Sequence, residues 1–366
     1  MTHFYESTLI DTIDGLQCKS YGNEHPKDFI IVKPKYIPAN ILKGQGLQYR
    51  FLFKKAMIRF NLFGNPKTVL NYFNQFKKKL PNYIYKSPLH NNWFFVVPKN
   101  RIKEVHNGRQ GVVELLKIPM HDYDDYLLLV RQLIDLIMKS GVSSKNLGLT
   151  HSTLLGNYTY GKSDIDIIIY GKANGWKVLN FLKTAKHEKL RWRTEREWLK
   201  YYETHRTAET SHFTPRQYAK QMARKRYEGL FGGTIFTLYT VEEPDETWFK
   251  WGEEKYKPLG LATVQGEVTD NSNSHVKPGF YEMKNGRIIN MKNMKKLIDP
   301  KIPIKRVVSY SLNFLHQVLI GETIQACGML ELVINKRKGK YYRLVVGYFD
   351  AYFNERREKE YIKAEI

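Results

Sequence analysis

The stretch that most constrains this chain is residues 147–171. It reads as a short apolar strand, a turn carrying Ser152 and Gly156, and a second, more apolar strand opened by Asp164 and Asp166. Residues i and i+2 of a strand point to the same face. The two carboxylates therefore project together, while Ile165, Ile167 and Ile169 face the other way. Beyond the acids the run is apolar on both faces, the pattern of an interior strand. Two carboxylates at one end of a buried strand are costly unless something positive lies between them. A divalent metal ion meets that need. The alternative, a surface turn with two solvated acids, leaves the isoleucines from Ile165 to Ile169 unexplained.

The flanks supply the same context. Residues 122–141 place Asp124 and Asp125 in a first turn, Leu129, Leu133 and Leu136 on one stripe, and Gly141 just past the end, which predicts a helix. A second helix is predicted over 174–183, with Trp176, Leu179 and Leu182 available to cover the sheet.

At 366 residues the chain is long for one domain and suggests two or three. Its 59 Lys+Arg against 36 Asp+Glu give a net charge of +23. Such an excess points to a polyanionic partner, and nucleic acid leads because each neutralised phosphate releases counterions. An anionic membrane surface is the other candidate, but no segment approaches the ~18 continuous apolar residues of a spanning helix. The first residues carry no basic stretch followed by an apolar run, so no secretory signal is read. Cys18 and Cys327 form neither a disulfide framework nor a zinc signature. A cytoplasmic protein without a membrane partner is expected.

The basic charge concentrates in residues 183–228. Arg191, Arg193, Arg196 and Lys200 alternate with Trp192, Trp198, Tyr201 and Tyr202. Thr214-Pro215 reads as a helix start, and Arg216, Lys220 and Arg224 then share one stripe. The segment is either a solvated basic face with its aromatics in the core or a surface that tracks phosphates, with an aromatic or two free to stack on bases. The overall charge favours the second.

Three units are expected in an α+β, multidomain chain. Residues 1–115 predict a compact α+β domain of unread role, with a hairpin turn at Asp14-Gly15, strands at Phe29–Val32 and Trp93–Val97, and a helix from Pro66. Residues 116–255 hold the acidic strand and the basic insert, and Glu242–Glu246 reads as an exposed linker or domain edge. Residues 256–366 turn β-rich, with a short helix at Leu312–Leu319 and a charged tail from Asn354 read as a solvated helix or frayed end. Strands of this length and spacing predict a small β-barrel, and Gly321–Glu331 resembles the strand pairs of OB-type barrels.

Residues 147–171 also resemble the nucleotidyltransferase core of the polymerase-β superfamily. There a strand leads to a Gly-Ser turn, a second Gly follows four residues after the Ser, and an Asp-x-Asp pair opens the next strand. Ser152, Gly156, Asp164 and Asp166 fall at those positions. The resemblance implies that Asp164 and Asp166 are catalytic and hold Mg²⁺ or Mn²⁺, while Ser152 and the Gly156 turn bind the triphosphate of an NTP or dNTP. The chain departs from the pattern twice. His151 stands where the family has Gly, and the later strand that usually brings a third carboxylate, residues 234–239, has Thr237 and no acid. Glu242, Glu267 and Asp270 lie beyond it, and none matches. The whole chain also resembles a family of predicted archaeal nucleotidyltransferases with a β-rich C-terminal domain, through the Ser163–Asp166 motif and the Val308-Ser-Tyr310 and Gly321-Glu322 stretches.

The expected function is metal-dependent transfer of a nucleotide to a nucleic-acid hydroxyl, with the basic segment guiding the acceptor. The alternative is a non-catalytic nucleic-acid-binding protein on a degenerate transferase core, which accounts equally for His151 and the missing acid.

Overall fold

The computed structural model describes residues 3–52, 54–62, 65–205, 210–292, 298–352 and 356–366. The N-terminal strands are β1 (Leu9–Thr12), β2 (Gln17–Ser20), β3 (Phe29–Pro38), β4 (Gln48–Leu52), β5 (Lys55–Arg59), β6 (Ile84–Ser87), β7 (Asn92–Pro98) and β8 (Ile102–His106). They pair in the order β4-β5-β3-β2-β1-β8, with β7 on β3 and β6 on β7. Gly15 takes a left-handed φ of 81° in the predicted turn between β1 and β2. Helix α1 (Pro66–Lys79) starts at the predicted proline, capped by the Asn65 side chain. Its Val69, Tyr72, Phe73 and Phe76 are buried in the core of this unit, with Phe76 edge-on to Phe95.

The central unit follows as α2 (Gly108–Lys117), α3 (Asp125–Met138), β9 (Leu147–Leu149), α4 (His151–Leu155), β10 (Ile165–Tyr170), α5 (Lys172–Thr184), β11 (Leu190–Arg191), α6 (Glu195–Thr204), α7 (Pro215–Arg224), β12 (Glu228–Phe231) and β13 (Thr234–Val241). Asp124 is the N-cap of α3, its carboxylate accepting from the Leu127 N–H at 2.7 Å. Thr214 caps α7 with Pro215 at N1, as read from the sequence. The sheet order is β11-β12-β13-β10-β9. Strand β10 runs parallel to β13 and antiparallel to β9. Ile165, Ile167 and Ile169 pack into one core with Val130, Leu133 and Ile137 of α3 and with Val178 and Leu182 of α5. The opposite face, with Ile168 and Tyr170, turns toward the N-terminal unit, where Tyr5 meets Tyr170 edge-on at 4.9 Å. A Cβ at Gly108 would stand 2.6 Å from the Leu149 carbonyl, so the start of α2 seats on β9 only because the side chain is absent.

The C-terminal unit holds β14 (Glu254–Asp270), β15 (Gly279–Met291), β16 (Ile304–Ser309), β17 (Thr323–Asn335), β18 (Gly339–Val346) and β19 (Tyr361–Ala364). Its order is β14-β15-β16-β18-β17-β19, and β17 pairs with β14 as well, over residues 323–335. Its one parallel pair among the described residues is β16 with β18. The chain is thus a mixed α+β protein, and among the described residues no helix is long and apolar enough to cross a membrane.

Three local expectations are corrected. The helix expected at Leu312–Leu319 is a single 3₁₀ turn, Leu312–Phe314. Of the tail, 354 and 355 lie outside the described residues, and 361–364 form β19 on β17 with Ile362 and Ala364 fully buried. The acidic run is exposed only in part: Pro244 and Asp245 face solvent, but its first residue does not. Glu242 is buried, and its carboxylate accepts from Asn23 at 3.2 Å and the Trp248 N–H at 3.2 Å, with Lys172 3.5 Å away. The carboxylate thus links the N-terminal and central units, and the Trp248 ring in turn packs on Phe280 of β15.

Burial pushes the Glu242 carboxyl up to about 7 against the opposing pull of Lys172. A carboxyl raised on folding binds its proton more tightly in the native state, so stability is lost as pH rises from its unfolded value toward 7. That interval corresponds to on the order of 3 kcal/mol. Glu242→Gln, which keeps the acceptor without the charge, is expected to flatten the fall in stability between pH 4.5 and 7 in denaturant titrations. A variant with the wild-type slope would contradict this placement of the charge.

A candidate metal and nucleotide site on the central sheet

Register assembles the site. Asp166 of β10 lies beside Thr237 of β13, and Thr237 lies beside Glu228 of β12. Paired residues share a face, and strands are about 4.8 Å apart, so Asp166 and Glu228 flank Thr237 on one line across the sheet. Asp164 is exposed just before β10 begins. Its carboxyl is raised above the ordinary carboxylate range by burial first, then by the charges of Asp166 and Glu228, with Arg193 opposing. The three acids share one electrostatic environment. Glu228 is thus an acid on the strand beside β13, level with Thr237.

Glu228 belongs to no motif, and only the hairpin that pairs β12 with β13 brings it beside Thr237. The signal was Gly232-Gly233, both with left-handed φ, of 55° and 83°. A Gly-Gly pair between two apolar runs marks a two-residue hairpin. That turn pairs Phe231 with Thr234 and hence Glu228 with Thr237.

His151 occupies the turn with φ 54°, a left-handed value natural to Gly and strained for a residue with a Cβ. The ring makes two polar contacts. Nδ1 lies 3.1 Å from an Asp166 carboxylate oxygen, and Nε2 lies 3.4 Å from Nζ of Lys19 on β2. Because the ammonium can only donate, Nε2 accepts and the proton sits on Nδ1, facing Asp166. Burial, reinforced by Lys19, pushes the His151 imidazole down to about 4, so it is neutral at physiological pH.

The N-terminal sheet contributes cations that no sequence pattern flagged. Burial pushes Lys19 down to about 8, with Lys277 adding to the effect and Glu6 and Asp166 opposing it. Lys35 of β3 is likewise pushed down to about 8 by burial, against the attraction of Asp166. Lys19 also stands 4.9 Å over the ring of Tyr239, whose phenol is held well above its ordinary range by burial and by Asp166.

Ser152 lies in α4, and Gly156, with φ 70°, is that helix's C-cap. Tyr126 ties this turn to the acids, its hydroxyl 2.8 Å from the Asp164 carbonyl and 2.7 Å from the Thr153 hydroxyl. In the basic segment, Arg193 pairs with Glu228 at 2.9 Å and Arg224 with Glu322 at 2.7 Å, while Arg191 bonds Glu197 in the first turn of α6. Arg196, Lys200, Arg216 and Lys220 are exposed. Trp198 and Tyr202 are buried, as the core reading of those aromatics expects. A separate group, Asp11, Glu104 and His106 on β1 and β8, brings ligand atoms within 4.8 Å of one another.

The strain at residue 151 is testable. His151→Ala and His151→Gly both remove the ring, but only Ala keeps a Cβ at positive φ. His151→Gly is expected to be the more stable by about 1 kcal/mol in denaturant titrations. Equal stabilities would contradict the left-handed turn.

The chain is 27% identical over 351 residues to an uncharacterized protein of Methanocaldococcus jannaschii, covering 95% of this chain and 96% of that protein. No protein-family model matches, and no solved structure matches.

Proposed function

We propose that the protein is a metal-dependent nucleotidyltransferase that moves a nucleotide from an NTP or dNTP to a nucleic-acid hydroxyl. The observation that carries the reading is that Asp164, Asp166 and Glu228 lie on neighbouring strands of one sheet, the last two close enough for their charges to raise Asp164, with Lys19 and Lys35 near Asp166. The pairing of β10 with antiparallel β9 and parallel β13, and a helical turn carrying Ser152 between β9 and β10, support a polymerase-β-like core. The β14-β15-β16-β18-β17 circuit, returning to β14, supports an OB-like barrel beside it.

The donor set fits the metal. Three carboxylates offer only hard oxygen ligands, suited to Mg²⁺ or Mn²⁺ and not selective for Zn²⁺. Asp164, Asp166 and Glu228 would hold the ion, which when bound polarises the phosphate under attack and eases loss of the proton from the attacking hydroxyl. Lys19 and Lys35 supply positive charge for the triphosphate from the opposite wall. His151, neutral with its Nδ1 proton toward Asp166, orients that carboxylate without competing for charge. Arg193 holds Glu228 in line. The exposed Arg196, Lys200, Arg216 and Lys220 offer a phosphate-contacting edge for the acceptor.

One observation favours the rival reading of a non-catalytic nucleic-acid-binding protein. Two of the three acids already have partners from the chain itself, His151 on Asp166 and Arg193 on Glu228.

Transfer assays with labelled NTPs, RNA and DNA oligomers and Mg²⁺ or Mn²⁺ separate the two. The transferase reading predicts incorporation that Asp164→Ala/Asp166→Ala abolishes and that Glu228→Gln lowers roughly a hundredfold or more. No incorporation with either metal, alongside salt-sensitive oligomer binding that the double variant retains, would establish the rival.

A further inference from the structure

Glu228 also lines a second feature. A cavity of ≈ 120 Å³ lies between α6, α7 and the 313–317 segment, walled by Trp198, Tyr201, Phe213, Tyr218 and Gln221. Gln221 is the informative wall. It is 1% exposed, and its Oε1 accepts from the Ala364 N–H at 3.0 Å. A backbone N–H can only donate, so this bond fixes which end of the amide is oxygen. Nε2, with two protons to give, has no partner among the described residues. A buried donor left unpaired costs about 1–3 kcal/mol, which a ligand acceptor would recover.

The cavity therefore asks for a flat ring that offers an acceptor. An engineered cavity of about 150 Å³ admits benzene, so this one is of single-ring size. Its aromatic walls suit a ring met by face or edge, with Trp198 and Tyr201 edge-to-face at 5.4 Å. Within a nucleotide, the single ring bearing a carbonyl acceptor is a pyrimidine base. The contact of Glu228 with both cavity and acid row places that base beside the transfer site.

We propose that this cavity binds a pyrimidine base, with its ring among Trp198, Tyr201 and Tyr218 and its carbonyl oxygen accepting from Gln221 Nε2. The identification of the ring as a nucleobase rests on the transferase reading; the unpaired donor and the cavity do not. The base belongs either to the incoming nucleotide or to the acceptor end.

Two variants test it. Gln221→Met removes the donor but also the bond to Ala364, whereas Met222→Phe fills the cavity and leaves that bond in place. Calorimetric titration of the full chain with uridine, cytidine, adenosine and guanosine, without metal, reads the cavity alone. Pyrimidine nucleosides are expected to bind at least tenfold tighter than purine ones. Gln221→Met is expected to weaken them roughly tenfold and Met222→Phe to abolish binding, with both variants melting cooperatively. Equal binding of all four, or pyrimidine binding untouched by both variants, overturns the proposal. In the transfer assay, a preference for CTP and UTP assigns the base to the incoming nucleotide, and a preference for oligomers ending in a pyrimidine assigns it to the acceptor. Incorporation without base preference, unchanged in both variants, overturns the cavity and leaves the transferase reading intact. Selective pyrimidine binding with no incorporation does the reverse.

Discussion

Everything at the candidate site depends on the pairing of β10 between antiparallel β9 and parallel β13. One face of β10 is committed to the helix-covered core by Ile165, Ile167 and Ile169. A slip of one residue would bury Asp166 among those helices and expose the isoleucines, so the apolar side of the strand enforces the position of the charged side. The same logic passes across β13 to β12, because the Gly232-Gly233 turn leaves Glu228 no other register.

Carboxylates gathered on one face repel one another, and burial amplifies the repulsion. The protein answers with cations from another unit. Lys19 and Lys35 reach toward Asp166 from the N-terminal sheet, so that sheet flanks the acid. Buried polar links fix the sheet in place. Glu6 pairs with Lys277 across the N- and C-terminal units, and Glu242 gathers Asn23, Lys172 and the Trp248 N–H. Such pairs are weak arguments for stability but strict about geometry, since removing one partner strands a buried charge.

Local features were legible in the sequence. Pro66, Thr214-Pro215, Asp124 and Gly141 marked helix ends by their own backbone chemistry, and the Asp164/Asp166 strand by its alternation. Contacts set by tertiary packing were not legible. Lys19 and Lys35 carry no motif and matter only because the N-terminal sheet faces β10. Glu242 sat in a run whose composition reads as solvent-exposed, yet its neighbours bury it. The charged tail likewise hid Ile362 and Ala364, two small apolar commitments that seat β19 on β17. Glu228 lay between these cases, since a turn dipeptide pointed to it but only pairing with a distant strand gave it meaning.

The central claim is that Asp164, Asp166 and Glu228 form one divalent-metal site, and anomalous diffraction from Mn²⁺-soaked crystals tests it most directly. The account predicts a manganese peak at carboxylate bonding distance from all three acids. A peak confined to Asp11, Glu104 and His106, or bonded to Asp164 and Asp166 with Glu228 still held by Arg193, would contradict it.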